Sequence, residues 1–147
     1  MVSPFLIFQI PHIVEGFPIL FRKEIDVNII NVNRSNDARK LLVNVKIYDN
    51  LITFINVYAP NNENARIAFF NRLKSFTTKH SCEGRMILCG DFNCNFDQKN
   101  DKSNKRLFET INNLDFVDLW HHKYPQENGF TCCDANNCPK SRTDYII

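Results

Sequence analysis

Three short stretches place side chains able to act on a phosphate ester at the ends of apolar runs. They are Asn56-Val57-Tyr58-Ala59-Pro60-Asn61, Leu88-Cys89-Gly90-Asp91-Phe92-Asn93 and Ser141-Arg142-Thr143-Asp144-Tyr145-Ile146. Hydrolysing a phosphodiester needs a nucleophilic water, stabilisation of charge on the phosphoryl oxygens and help for the leaving oxygen. Asp91 can orient or deprotonate a water, Asn93 can donate to a phosphoryl oxygen without adding negative charge, and Tyr58 can donate its phenol hydrogen to the same phosphate. Asp144 is a second carboxylate, of the kind that orients a histidine. Each residue taken singly also has a plain structural reading. Gly, Asp and Asn form turns, Tyr58 fits a core tyrosine with its hydroxyl satisfied, and Asp144 fits a surface ion pair.

The elements that must position these groups are legible in the periodicity. Met86 to Cys89 is apolar, too short for a helix and ended by Gly90, so it reads as a buried strand that delivers Asp91. Gly90 permits a tight turn or a close backbone approach. Leu51 to Tyr58 is a nearly continuous apolar run rich in β-branched residues, as expected of a central strand covered on both faces. Asn56 and Tyr58 share one of those faces, and Pro60 stops the pairing. Leu41, Val43, Val45 and Ile47 alternate with Asn44, Lys46 and Tyr48 in a preceding strand with one buried face, Leu42 being the exception, and Asp49-Asn50 reads as the hairpin turn between the two. Ile19 to Phe21 and Val27 to Val32 are two earlier strands. Residues 62–80 read as a helix with Ile67, Phe70, Leu73 and Phe76-Thr77 on one stripe. Ser103 is placed to cap a second helix carrying Leu107, Ile111 and Leu114. Phe116 to Trp120 is expected to pack beneath the site, and Asn128 to Cys132 and Thr143 to Ile147 are the last strand candidates.

A chain of 147 residues suits one domain with a real core. Hydrophobic residues at 44% and charged residues at 23% exclude a disordered chain. The net charge of +2 permits nucleic-acid binding without arguing for it. Lys99, Lys102, Lys105 and Arg106 form a local basic cluster, most simply a solvated loop. Six cysteines without paired zinc-ligand spacing fit a reducing compartment, nuclear or cytoplasmic, with no disulfide-linked partner. Pro4, Pro11 and Pro18, with His12 and Glu15, break the apolar start of the chain, so no membrane span is expected there.

In this order the three stretches resemble motifs of the endonuclease/exonuclease/phosphatase superfamily, in particular the apurinic-type endonuclease domain of non-LTR (LINE-like) retrotransposons. There the segments read like N-x-Y-A-P-N, G-D-F-N and S-R-x-D-Y-I. Asp118-Leu119-Trp120, Pro125 and Phe130-Thr131 are similar to the segment joining the last two. The resemblance implies an α/β fold, an incomplete four-layer sandwich of two packed, mostly antiparallel sheets flanked by helices. Residues 17–147 form part of that domain, and 1–16 are an unassigned N-terminal extension. It also implies a magnesium-dependent DNA phosphodiesterase with Tyr58, Asp91, Asn93 and Asp144 as catalytic residues. The family's Asn and metal-holding Glu motifs and its late Ser-Asp-His motif have no counterpart here. Glu15 stands outside any such motif, no residue is assigned as a metal ligand, and impaired or absent activity is the expectation. A non-catalytic fragment or interaction module, and a phosphatase or RNA-trimming branch, are the other readings. The four catalytic candidates are expected to converge, with Tyr58 and Asp91 at the ends of neighbouring strands and Asp144 reaching the same rim from the second sheet.

Overall fold

The computed structural model describes residues 5–8, 18–95, 101–133, 135, 136 and 138–147; His12, Glu15 and Lys99 lie outside the described residues. In chain order the elements are β1 (Phe5–Phe8), β2 (Ile19–Arg22), β3 (Val27–Arg34), β4 (Lys40–Ile47), β5 (Asn50–Tyr58), α1 (Glu63–His80), β6 (Arg85–Asp91), α2 (Lys102–Asn113), α3 (Leu119–Lys123), β7 (Cys132–Cys133), β8 (Pro139–Ser141) and β9 (Asp144–Ile146). Five strands form the main sheet in the order β3-β4-β5-β6-β9. All its pairings are antiparallel except β5 with β6, which run parallel because α1 carries the chain back between them. Two small sheets, β1-β2 and β7-β8, stand beside it.

The alternation along each strand divides the interior in two. Leu42, Ile55, Val57 and Leu88 point to one face, where they meet Phe69, Phe70 and Leu73 of α1 and Leu107 and Ile111 of α2. Leu41, Val43 and Val45 point to the other face and pack on Ile19 and Phe21 of β2. The α/β sandwich expected from the sequence is borne out, with helices over one face and a smaller sheet over the other. Each large side chain fully buried in these clusters contributes roughly 1.5–3 kcal/mol of transfer free energy.

Several local expectations shift. The β4–β5 turn consists of Tyr48 and Asp49, because Ile47 pairs with Asn50; Tyr48 takes the left-handed φ of 52°. The buried stripe of α1 is Arg66, Phe69, Phe70, Leu73 and Thr77, so Phe69 rather than Ile67 faces the sheet. Asp101, not Ser103, caps α2; its carboxylate accepts the Ser103 N–H at 2.7 Å, leaving Ser103 inside the helix and buried. The expected strand at Asn128 to Cys132 reduces to β7, paired with the short β8.

A buried polar network locks α1 to the sheet. Asn44 donates to the His80 carbonyl at 2.7 Å and to Asn31 Oδ1 at 2.8 Å, and the Thr53 hydroxyl donates to Asn44 Oδ1 at 2.7 Å. The carbonyl of His80 belongs to the last turn of α1, where no intrahelical donor remains. At the other end of α1, Arg66 donates to Ser103 Oγ at 2.8 Å, to the Asn61 carbonyl and to Asp101 Oδ2 at 2.6 Å. That one guanidinium joins the start of α1, the start of α2 and the loop after Tyr58.

Candidate active site

The rim where β5 and β6 end side by side is built by Gly90. Its φ is 128°, and a Cβ there would overlap the Val57 carbonyl oxygen and approach Asn56 Oδ1. Only glycine lets β6 lie this close to β5 at that point. The parallel register then sets Asp91 beside Tyr58. β9 pairs antiparallel with β6 and sets Asp144 beside Asp91. Paired residues point to the same face, so the phenol and both carboxylates form one row across three strands, on the face away from α1 and α2.

Asp144 thus reaches the rim, but from the same sheet and not from a second one, as the sequence reading had it. The main-chain bonds leave no alternative: the Ile147 N–H donates to the Leu88 carbonyl at 2.8 Å, and the Leu88 N–H donates back to the Ile147 carbonyl at 2.9 Å. β9 has three residues, and a strand that short carries no periodic signal to say which edge it will join.

Asn93 completes the group. Its backbone N–H donates to Asp91 Oδ1 at 2.8 Å, an Asx turn that holds the residue at a left-handed φ of 49°. Its side-chain NH2 donates to the Ala59 carbonyl at 2.7 Å. That bond uses one of the two amide hydrogens and ties the turn after β6 to the end of the Tyr58 motif. All four residues singled out in the sequence are brought together.

Asp91 is half-buried, and burial is the main cause that raises its pKa above 3.8, with the negative charge of Asp144 adding to it. The Asn93 N–H and the Thr143 side chain pull the other way. Thr143 also donates to Asp144 Oδ2 at 3.4 Å. A carboxylate that holds its proton more tightly than usual, next to a second carboxylate, is what a proton acceptor or a cation site requires.

Residues away from the row hold it in place. Thr131 Oγ1 accepts the N–H groups of Thr143 and Asp144 at 3.1 and 3.2 Å. Arg142 pairs with Asp118, whose other oxygen caps α3 through the Trp120 and His121 N–H groups. The Tyr145 hydroxyl donates to the Arg142 and Cys94 carbonyls. The expectation for Phe116 to Trp120 holds in part: Phe116 packs on the core, whereas Val117 and Leu119 are half exposed. His121 and His122 are exposed on α3, as a surface feature should be. Lys102 and Lys105 are exposed, and Arg106 is engaged with Glu109 and Asn71.

One position at the rim carried no motif in the sequence. Arg39 precedes β4 and donates to the Tyr58 carbonyl at 3.3 Å, its guanidinium carbon 5.1 Å from the Tyr58 ring centroid. Only the strand pairing reveals it. A cavity of about 870 Å³ lies on the helix side, lined in part by Phe108, Phe116, Asp118 and Tyr145, and none of the four row residues borders it.

No helix among the described residues is long and apolar enough to cross a membrane. Cys82, Cys89, Cys94, Cys132 and Cys133 are free thiols.

No family model matches the sequence. It is 27% identical over 140 residues to the Transposon TX1 uncharacterized 149 kDa protein of Xenopus laevis, covering 89% of this chain and 11% of that protein. The fold is similar to the endonuclease domain of TRAS1, a telomere-specific non-LTR retrotransposon, at a TM-score of 0.67 and 16% identity over 99% of this chain and 65% of that one. It is similar to D. rerio TDP2, in the humanized form, at a TM-score of 0.65 and 17% identity, covering 97% of this chain and 60% of that one. An endonuclease/exonuclease/phosphatase family protein of Bacteroides thetaiotaomicron follows at a TM-score of 0.62 and 18% identity, covering 88% and 52%. The chain thus spans between half and two thirds of these solved structures and about a tenth of the Xenopus protein. The resemblance carried by the ordered motifs is borne out: this chain has the endonuclease/exonuclease/phosphatase fold.

Proposed function

We propose that the chain is part of a magnesium-dependent DNA phosphodiesterase of the retrotransposon endonuclease type, with residues 17–147 as the domain portion. The observation that carries this is the row of Tyr58, Asp91 and Asp144 on adjacent strands, with Asn93 turned onto Asp91. In this reading Tyr58 and Asn93 donate to the phosphoryl oxygens, and Asp91 accepts a proton from the attacking water. Two neighbouring carboxylates suit magnesium, an ion usually held through one or two carboxylates plus substrate phosphates. Asp91 and Asp144 are the residues that would hold it, and it would supply Lewis-acid stabilisation of the phosphoryl charge.

Nucleic acid as substrate draws support from a D. rerio TDP2 structure in complex with a single-strand DNA product and from the TRAS1 neighbour. Free thiols at Cys82, Cys89, Cys94, Cys132 and Cys133 suit a reducing compartment, nuclear or cytoplasmic. Activity of this chain alone is expected to be low. Among the described residues no group of three or more His, Cys, Asp or Glu could hold a metal ion, which also favours a non-catalytic interaction module as the second reading. A plasmid-nicking assay with magnesium, run on the chain and on Asp91→Ala, separates the two. Nicking lost in the variant supports the enzyme, whereas no Asp91-dependent nicking at any ion concentration leaves the module.

A further inference from the structure

We infer that Arg39 is a phosphate-binding residue of this rim, taking a non-bridging oxygen of a nucleic-acid backbone on the side of Tyr58 away from the carboxylates. The inference deepens the proposed function and rests on it. Arg39 stands opposite the end of β5: the Tyr58 N–H donates to the Arg39 carbonyl at 2.9 Å, one step beyond the pair Lys40–Val57. The row across the sheet edge is therefore Arg39, Tyr58, Asp91, Asp144, one residue from each of four neighbouring strand ends. Strands lie about 4.8 Å apart, so the cation and the first carboxylate flank Tyr58 at roughly one strand spacing on either side.

The charges along that row run from positive through a phenol to two negatives. A phosphate diester is repelled by the carboxylate end and attracted to the arginine end, which fixes where its anionic oxygens sit relative to Tyr58. Arg39 is half-buried, so its charge acts in a less screened setting than a surface arginine. Its guanidinium lies beside the Tyr58 ring and donates to the Tyr58 carbonyl through Nη1. A guanidinium has five N–H donors in a fork that matches a phosphate's oxygens. Among the described residues no carboxylate lies within ion-pair distance of it. Lys40, the next residue, is turned inward, where its ammonium meets Asp37 at 3.2 Å and the Phe69 ring at 4.4 Å. The two cations of this corner thus face different ways: one is neutralised inside, the other is presented at the rim.

The test measures binding of a fluorescein-labelled DNA duplex to the full chain by anisotropy, without divalent ions, over a series of salt concentrations. Each phosphate contact contributes about 0.9 to the slope of log affinity against log salt. Arg39→Gln is expected to weaken binding about threefold to tenfold and to lower the slope by about one, and Arg39→Lys to restore the slope but not the full affinity. Arg39→Met, which keeps the stem against the Tyr58 ring, gives the same loss and carries the test if Arg39→Gln melts early. An unmoved slope in the charge-removing variants overturns the inference even where Asp91-dependent nicking stands. A wild-type chain that binds no duplex overturns both this inference and the reading beneath it.

Discussion

Asp91 sets the terms at the scale of single residues. Under the proposed function, replacing it with alanine removes the proton acceptor, and general acid–base help of this kind is worth roughly 10²–10⁴-fold; nicking by Asp91→Ala should then fall by that order against wild type. The same residue is a stability liability. Its carboxyl holds its proton above the ordinary 3.8, because burial and then Asp144 disfavour the charged form. A group whose pKa is raised on folding binds its proton more tightly in the folded state. Its stabilising contribution is complete below the unfolded pKa and is lost as the pH climbs through the folded value. Asp91→Asn removes that loss. Thermal melts should show the variant more stable than wild type near neutral pH, by roughly 2–4 °C per kcal/mol relieved, with the gap closing as the pH falls below the ordinary carboxylate value. A gap that widens in acid would mean that Asp91 is stabilised as the anion.

Between elements, two contacts bear most of the positioning. Gly90 lets β6 press on β5, and its φ of 128° is one that side chains rarely adopt. Gly90→Ala forces the new methyl against the Val57 carbonyl, so urea denaturation should show a loss of about 1–3 kcal/mol, the usual cost of overpacking. Nicking should drop alongside it, since Asp91 moves off Tyr58. Arg66 is the second contact. Its three bonds join α1, α2 and the loop after Tyr58, and its side chain is only 9% exposed against 19% for Asp101. Arg66→Met takes the guanidinium away from Asp101 Oδ2 and Ser103 Oγ, leaving the half-buried carboxylate without its counter-charge and only its bonds to Ser103. Losing one partner of such a pair costs about 3 kcal/mol, which a shift in the urea midpoint at unchanged slope would register.

At the scale of the whole molecule, the row opens on the sheet face away from the helices. Two carboxylates without a third ligand among the described residues should bind magnesium weakly. Calorimetry on the chain alone should show shallow, non-saturating heats, and adding a DNA duplex should tighten the ion's apparent affinity because phosphates complete its shell. Tight binding without nucleic acid would reveal a ligand beyond Asp91 and Asp144.

The sequence by itself determined the strands β2 to β6 and the helix between β5 and β6, and it singled out Tyr58, Asp91, Asn93 and Asp144, which the fold brings to one rim. These are local properties: alternation, apolar runs, glycine and proline stops, and motif order all sit within a few residues of what they describe. Three of its errors were also local in kind. The hairpin turn moved by one residue to Tyr48-Asp49, the α1 stripe turned to include Phe69, and Asp101 took the cap assigned to Ser103, because tertiary packing selects among near-equal local choices. Whether Asp144 comes from the same sheet or from another was beyond local reading. A three-residue strand has no period, and its place at the edge of β6 is set by hydrogen bonds between residues more than fifty positions apart. Arg39 was illegible for the same reason. Nothing in its neighbours marks it, and only the antiparallel register of β4 on β5 puts its guanidinium beside Tyr58.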